Sequence, residues 1–167
     1  QSQSSSSNLM QDVDTDKKGS IEILFDTMRD EPVANAEFTL YQVAAMVDRG
    51  GYTVLELTGG FEGCGVQLKN LTAQQSKDAS AALLEYQRAN HISGDTKRTD
   101  ANGKISWTGL QTGLYLLVPG QMQKYRTDPS LVSIPTNLNA QLLYDMSVNP
   151  KAERIPDPVY PPEESEE

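Results

Sequence analysis

Two stretches of the sequence have the alternating oxygen-bearing side chains with which calcium-binding loops begin. They are Asp-Val-Asp-Thr-Asp at 12–16 and Asp-Ala-Asn-Gly-Lys-Ile at 100–105. A calcium loop also needs a glycine at its sixth position and a bidentate glutamate at its twelfth. In the first stretch Lys17 and Ile23 stand at those positions. We therefore interpret the first stretch as a solvated charged run and the second as a tight turn.

The chain has one histidine and one cysteine, and neither has partners at a catalytic spacing. His91 follows a predicted helix, where a cation is favourable on electrostatic grounds alone. Cys64 lies between two glycines, and a lone cysteine is more often a small apolar side chain than a nucleophile. Glycine patterns that mark a serine nucleophile or a phosphate site are absent. We expect no catalytic residue, cofactor or metal. Two carboxylates can also be brought together by the fold alone, so a hydrolase that uses such a pair stays an alternative.

Composition excludes several other classes of protein. The 167 residues include 23 acidic and 14 basic side chains, for a net charge of −9. This balance argues against duplex nucleic-acid binding and against a polybasic membrane surface. One cysteine excludes a disulfide framework and a multi-cysteine zinc site. No run approaches the roughly 18 apolar residues of a membrane span, and the length predicts a single domain.

The two ends of the chain differ in composition from its middle. Residues 1–8 are almost entirely serine and glutamine, so we predict a disordered segment over 1–17. No initiator methionine precedes it, and we expect that a signal peptide has been removed. Residues 153–167 carry a net charge of −5 and several prolines, which predicts a Pro/Glu-rich linker or tail. The folded domain is predicted over 18–152.

Inside that domain, alternation of apolar and polar residues dominates and predicts β-strands. It is clearest at 21–25 and 36–42, and a nearly continuous apolar run at 113–119 predicts a central strand covered on both faces. Asn102-Gly103 is a dipeptide typical of a tight hairpin turn. Further strands are predicted over 50–58, 131–135 and 142–148.

One segment has helical spacing instead. Thr72 and Gln75 form a capping-box pattern, and Ala79, Ala82, Leu83 and Tyr86 then recur at the spacing of one helix face. We predict a helix near 73–89. About seven strands with one helical insertion indicate a mainly all-β chain, folded as an antiparallel β-sandwich.

Four segments, in order, carry a resemblance to a known family. They lie at 19–24, 32–41, 100–110 and 113–118. Together they resemble the Cna B-type, prealbumin-like (Ig-like) domains of Gram-positive pilins and cell-wall surface proteins, over about 18–152. The resemblance implies a secreted, non-enzymatic surface protein whose tail is a spacer. Because no sorting signal or anchor is present, we expect a trimmed chain or one without the anchor.

The last predicted strand resembles the pilin motif W-x-x-x-V-x-V-Y-P-K. The matching residues are Val148, Pro150 and Lys151, whereas Leu142, Met146 and Asn149 replace the expected Trp, Val and Tyr. The resemblance implies that Lys151 is the sortase linkage site, the amine that resolves a sortase acyl-enzyme. Such an amine must be deprotonated, so burial or a neighbour must act on its pKa. The alternative is a lysine that merely ends a strand before the linker.

Many relatives also contain an internal Lys–Asn/Asp isopeptide bond assisted by a glutamate. Phe25 occupies the position that corresponds to the lysine, and Pro119 the position of the acid. We therefore predict no such bond in this domain.

Two further hypotheses of function remain beside the leading one. The leading hypothesis is a pilin-like subunit or stalk domain of the cell wall, structural or adhesive. Its partners would be neighbouring subunits, a sortase and a host or matrix ligand, without nucleic acid. The second is a carbohydrate-binding module of an extracellular enzyme, which needs Trp107 or a row of tyrosines exposed. Alternation of Ile105 and Trp107 favours core packing instead. The third is the carboxylate hydrolase.

Overall fold

The computed structural model describes residues 13–69 and 71–156. These residues form thirteen strands and one helix, α1 (Ala73–Asn90). The strands are β1 (Gly19–Leu24), β2 (Asp26–Thr27), β3 (Glu37–Asp48), β4 (Thr53–Leu57), β5 (Asp95–Arg98), β6 (Lys104–Leu110), β7 (Gly113–Pro119), β8 (Tyr125–Arg126), β9 (Ser130–Ile134), β10 (Thr136–Leu138), β11 (Gln141–Leu143), β12 (Asp145–Val148) and β13 (Lys151–Arg154). The predictions for 1–12 and 157–167 lie outside the described residues.

Two main sheets face each other and form the predicted β-sandwich. One has the order β4-β3-β7-β9, with β5 also paired to β3, and the other has the order β12-β1-β6. Most pairs are antiparallel, whereas β1 and β12 run parallel. Two small sheets, β2-β13-β8 and β10-β11, complete the fold.

The alternation along the strands places every second side chain between the two sheets. Ile21 and Ile23 of β1 are fully buried, and they pack with residues of β3, β6, β7 and β9. The buried set also includes Phe25, Phe38, Leu40, Ile105, Trp107, Tyr115, Leu117, Val132 and Ile134. The mainly β fold class predicted from the sequence is thereby confirmed.

A second apolar cluster covers the outer face of the larger sheet. Leu116 and Val118 of β7 pack there with Leu83 of α1 and with Phe61 from the preceding loop. Strand β7 is therefore buried on both faces, as its continuous apolar run predicts.

Helix α1 begins and ends with side-chain and backbone caps. The Gln75 N–H donates to Thr72 Oγ1 at 3.1 Å, and the Thr72 N–H donates to Gln75 Oε1 at 2.9 Å. At the other end His91 is the cap residue in a left-handed conformation, with φ 52°. The predicted helix is confirmed and is one residue longer than expected. Ala82, expected on its apolar face, is exposed, and Ser80 is buried with Ala79 and Leu83. Within the described ranges, no helix combines the length and apolar character that a membrane crossing needs.

The Asn102-Gly103 turn forms, but the hairpin prediction is wrong. The Gly103 N–H donates to Asp100 O at 2.9 Å, and Gly103 has φ 77°. Strand β5 pairs with β3, however, and β6 pairs with β1, so the turn joins the two sheets. Thr99 redirects the chain because its buried hydroxyl donates to Val33 O at 2.7 Å and accepts from the Ala36 N–H at 2.8 Å.

Short strands account for the difference between about seven expected strands and thirteen observed. The predicted strand at 142–148 is interrupted at Tyr144, which divides it into β11 and β12. Tyr144 O accepts from the Ser20 N–H at 3.0 Å, and its hydroxyl accepts from the Asp14 N–H at 2.9 Å. Tyr144 therefore connects both to β1 and, through its hydroxyl, to the chain ahead of β1.

Candidate functional site

Lys151 lies at the start of β13, between two short strands. Its parallel partner across the sheet is Asp26 of β2, and the other neighbour of β13 is β8. Pro150, which has no N–H, separates β12 from β13. Ala152 is buried in the core. Because neighbouring side chains of a strand point to opposite faces, Lys151 points away from the core.

The Lys151 ammonium has three acceptors within hydrogen-bonding distance. Its Nζ lies 2.8 Å from Asp26 Oδ1, 3.0 Å from Asp30 Oδ1 and 3.4 Å from Thr27 O. The exposed fractions of the three side chains differ widely, with 35% for Lys151, 7% for Asp26 and 84% for Asp30. An ammonium has three donors, so these contacts can occupy all of them.

Asp26 is the buried centre of this arrangement. Asn149 Nδ2 donates to Asp26 Oδ1 at 2.9 Å and to Leu24 O at 2.6 Å. The hydrogen bond from Lys151, followed by the one from Asn149, holds the pKa of Asp26 below its ordinary value of 3.8, although burial opposes this. We call Lys151, Asp26, Asp30 and Asn149 the Lys151 cluster.

The same contacts act on the lysine in the direction opposite to what a nucleophile needs. Hydrogen bonds to Asp26 and then to Asp30 raise the pKa of Lys151 above its ordinary value of 10.5. An amine attacks an acyl group only through its free lone pair. The neighbours of Lys151 therefore do act on its pKa, and they stabilise the protonated form.

A small cleft lies beside Lys151. Its volume is about 160 Å³, and Met28, Thr127 and Asp128 are among the residues that line it. Met28 is 74% exposed, unusually so for a large apolar side chain. Arg126 also lines this cleft. Its Nη2 lies 3.6 Å from Asp128 Oδ1, and its Nη1 lies 3.4 Å from Glu153 Oε1. Lys151 thus borders an open depression with an exposed apolar wall.

The acidic stretches with calcium-like spacing serve as turns. Asp100 Oδ1 accepts from the N–H groups of Asn102 and Lys104, each at 2.9 Å. The backbone hydrogen bond from Lys104 is the main cause that lowers the pKa of Asp100. In the first stretch, the Asp16 N–H donates to Asp14 Oδ1, and Asp12 lies outside the described residues. Across 13–69 and 71–156, no group of three or more histidine, cysteine or acidic residues could hold a metal ion.

Trp107 is buried, as its alternation with Ile105 predicts. It is 2% exposed, and its Nε1 has no hydrogen-bond partner within the described structure. Among the described tyrosines, Tyr52 is the one that is highly exposed. The described residues therefore offer no aromatic platform of the kind that the carbohydrate-binding hypothesis needs.

The two positions that bear on an internal isopeptide bond are both apolar and both neighbour Phe38. Phe25 is fully buried and its ring packs edge-on against Phe38, with 5.1 Å between centroids. Pro119 is the ladder partner of the same Phe38. Apolar side chains therefore occupy both positions where the resemblance places a lysine and an acid.

The partners of Lys151 were not predicted from the sequence. Asp26 and Asp30 belong to no motif, and Asn149 stood out only as a mismatch to the pilin pattern. The one usable signal was Asp26 itself, an acid directly after the buried strand end at Phe25. Strand β13 also runs to Arg154, beyond the predicted boundary at 152, and the domain boundaries stay predictions.

Solved structures similar to this one come from Gram-positive pili. The full-length major pilin SpaD from Corynebacterium diphtheriae matches with a TM-score of 0.55 and 21% identity, over 86% of this chain and 32% of that one. The T6 backbone pilin of serotype M6 Streptococcus pyogenes matches with a TM-score of 0.57 and 14% identity, over 84% and 29%. The chain has the fold of a pilin domain.

A third pilin supports the same fold. The SpaE basal pilin from Lactobacillus rhamnosus GG matches with a TM-score of 0.53 and 15% identity, over 82% of this chain and 49% of that one. The chain thus spans less than half the length of each of these pilins. No family model matches the sequence, and no curated protein does. The resemblance to the Cna B-type pilin domain is confirmed at the level of the fold.

Proposed function

We propose that this chain is a non-enzymatic structural domain of a Gram-positive surface pilus, linked to a neighbouring subunit through Lys151. The observation that carries the proposal is the position of Lys151. It opens β13, the last of the described strands, directly after the motif-like Val148 and Pro150, and 35% of its side chain is exposed beside an open cleft. The alternative is a lysine at the end of a strand, whereas Lys151 begins β13.

The chemistry proposed for Lys151 is acyl transfer from a sortase. Its Nζ attacks the carbonyl carbon of the acyl-enzyme, a C–N bond forms, and the bond between that carbon and the enzyme breaks. The nitrogen loses one proton before the attack and a second as the amide forms, and both pass to bases or solvent. In this scheme the domain supplies the nucleophile, and the enzyme supplies the activated acyl group.

The wider setting belongs to the same proposal. The protein would be secreted and held at the cell wall, with neighbouring pilin subunits and the sortase as partners. Adhesion to a host or matrix ligand belongs to this setting as well. The acidic, proline-rich residues of 153–167 would form a spacer that holds the domain away from the cell surface.

Incubation with the cognate sortase and a subunit that carries a sorting signal tests the linkage. We expect covalent ladders on denaturing gels with the wild type and none with Lys151→Arg. Lys124→Arg is the matched control, because Lys124 is exposed and its carbonyl accepts from the Ile155 N–H, just beyond β13. Ladders that persist in Lys151→Arg would remove Lys151 as the linkage site.

A further inference from the structure

We propose that the two carboxylates of the Lys151 cluster have separate roles, with Asp26 as a positioning residue and Asp30 as a releasable counter-charge. Asp26 keeps the lysine nitrogen at a fixed place, and Asp30 must withdraw before that nitrogen attacks an acyl group. This inference rests on the proposed function of Lys151, but its first test does not use a sortase.

The surroundings of the two carboxylates differ in the way that these roles require. Asp26 lies in β2, is buried, and receives a second hydrogen bond from Asn149. Asp30 lies in the turn after β2 and is 84% exposed. Backbone hydrogen bonds within the turn hold it in place. The Asp30 N–H donates to Thr27 O and the Thr27 N–H donates to Glu31 O, each at 2.9 Å. Because the Asp30 side chain is largely exposed and the turn is held by its own backbone, rotation of that side chain away from Lys151 would leave the core contacts intact.

The hydrogen-bond count shows why one partner must leave. Asp26, Asp30 and Thr27 O together can occupy all three donors of the ammonium. A nucleophilic amine has two hydrogens and one free lone pair, and that lone pair must face the acyl carbon. Among the two charged acceptors, Asp30 is the one with the greater exposure, so its release costs less packing.

Other charged groups near Lys151 are already paired with one another. Arg126 of β8, Asp128 of the following loop and Glu153 of β13 line the adjacent cleft. Arg126 forms ion pairs with both acids. Among residues 13–69 and 71–156, the ion pairs of Lys151 are those with Asp26 and Asp30.

Competitive acylation of the full chain measures the release directly. The protein is treated with trace acetic anhydride across a pH series, and acetylation of Lys151 is compared by mass spectrometry with that of exposed Lys104. We expect Asp30→Asn to raise acetylation of Lys151 about threefold relative to Lys104, and to move its pH midpoint downward. Glu31→Gln, which removes the neighbouring charge of the same turn, is the matched control. An unchanged rate and midpoint in Asp30→Asn would overturn the role of Asp30.

Sortase transfer tests the role of Asp26. We expect Asp26→Ala to reduce transfer to Lys151 by about tenfold or more although chemical acetylation rises, because the nitrogen is free but no longer held. Asp26→Asn, which keeps an acceptor oxygen, should restore most of the transfer. A transfer rate in Asp26→Ala equal to that of the wild type would refute the positioning role of Asp26. If Asp26→Ala does not fold, Asn149→Ala serves in its place, and we expect a smaller loss of transfer. An unreduced transfer rate in Asn149→Ala would equally refute the positioning role of Asp26.

The two experiments separate this inference from the proposed linkage. Ladders that form without Lys151 would remove the linkage, and acetylation would still report whether Asp30 restrains the amine. Ladders that require Lys151, together with unchanged acetylation in Asp30→Asn, would leave the linkage standing and refute the releasable counter-charge.

Discussion

Asn149 and Lys151, two residues apart on the chain, donate to the same oxygen of Asp26, at 2.9 Å and 2.8 Å. Pro150 lies between them, just as a proline precedes the lysine in the pilin motif. Asn149 is where this sequence departs from the motif tyrosine. The departure places an amide donor on the carboxylate that holds the lysine, so Asn149 is part of the site.

Removal of the Asn149 amide should alter the acid titration of Asp26. With one hydrogen bond lost, we expect the pKa of Asp26 in Asn149→Ala to move up toward its ordinary value of 3.8. Carbon-detected NMR of the carboxyl groups across a pH series measures this. Asn137→Ala, at an exposed asparagine of β10, is the control. An identical titration in wild type and Asn149→Ala would contradict the assignment of this contact.

The Asp26–Lys151 pair should make folding stability depend on pH at both ends. A lowered carboxylate pKa contributes stability above the unfolded value of 3.8 that is lost as pH falls through the folded pKa. A raised lysine pKa contributes stability below 10.5 that is lost as pH rises through the folded pKa. Urea unfolding from pH 2 to 7 should show a smaller acid loss for Asp26→Asn than for the wild type. Equal acid slopes would show that the pair does not couple to folding.

Trp107 should behave as a core residue in stability and fluorescence. We expect Trp107→Ala to lower the free energy of unfolding by about 3–5 kcal/mol through the cavity that it leaves. Trp107→Phe should cost less, because it also removes a buried indole N–H without a partner in the described structure. Tyr52→Ala, at an exposed site, should stay within about 0.5 kcal/mol. As the single tryptophan, Trp107 should emit at short wavelength, and a glycan-dependent change would reopen the carbohydrate-binding hypothesis.

Gly103 should resist substitution because of both its backbone angle and its neighbours. It has φ 77°, and a Cβ there would stand 2.5 Å from Phe25 O. We expect Gly103→Ala to destabilise the fold by about 1–3 kcal/mol in urea unfolding. Gly50→Ala separates the two causes, since Gly50 has φ 72° with nothing within 4 Å of its added Cβ. Equal costs at both positions would show that the close approach contributes nothing.

Phe25 and Pro119, at the positions where the resemblance places a lysine and an acid, predict that the domain contains no internal isopeptide bond. The intact mass of the purified chain should equal the sequence mass. A mass lower by one water would show that a cross-link forms elsewhere, and fragmentation would then locate it.

Local signals predicted the elements of this fold better than their pairing. The alternation at 21–25 and the capping box at Thr72 are local, and both features formed as predicted. The turn at Asn102-Gly103 also formed, but which sheets it joins depends on the distant contacts of Thr99. The contact of Asp26 with Lys151 spans 125 positions and arises from the parallel pairing of β2 with β13, for which no local pattern exists.

The place of Lys151 in β13 decides how tension would cross this molecule. Strand β13 is four residues long and begins at Lys151. If Lys151 carries the proposed linkage, a pull between its Nζ and the chain beyond Arg154 would follow the backbone of those four residues. The first contacts to bear the load would be the ladders of β13 with β2 and β8 and the ion pair of Lys151 with Asp26, ahead of the core of the sandwich.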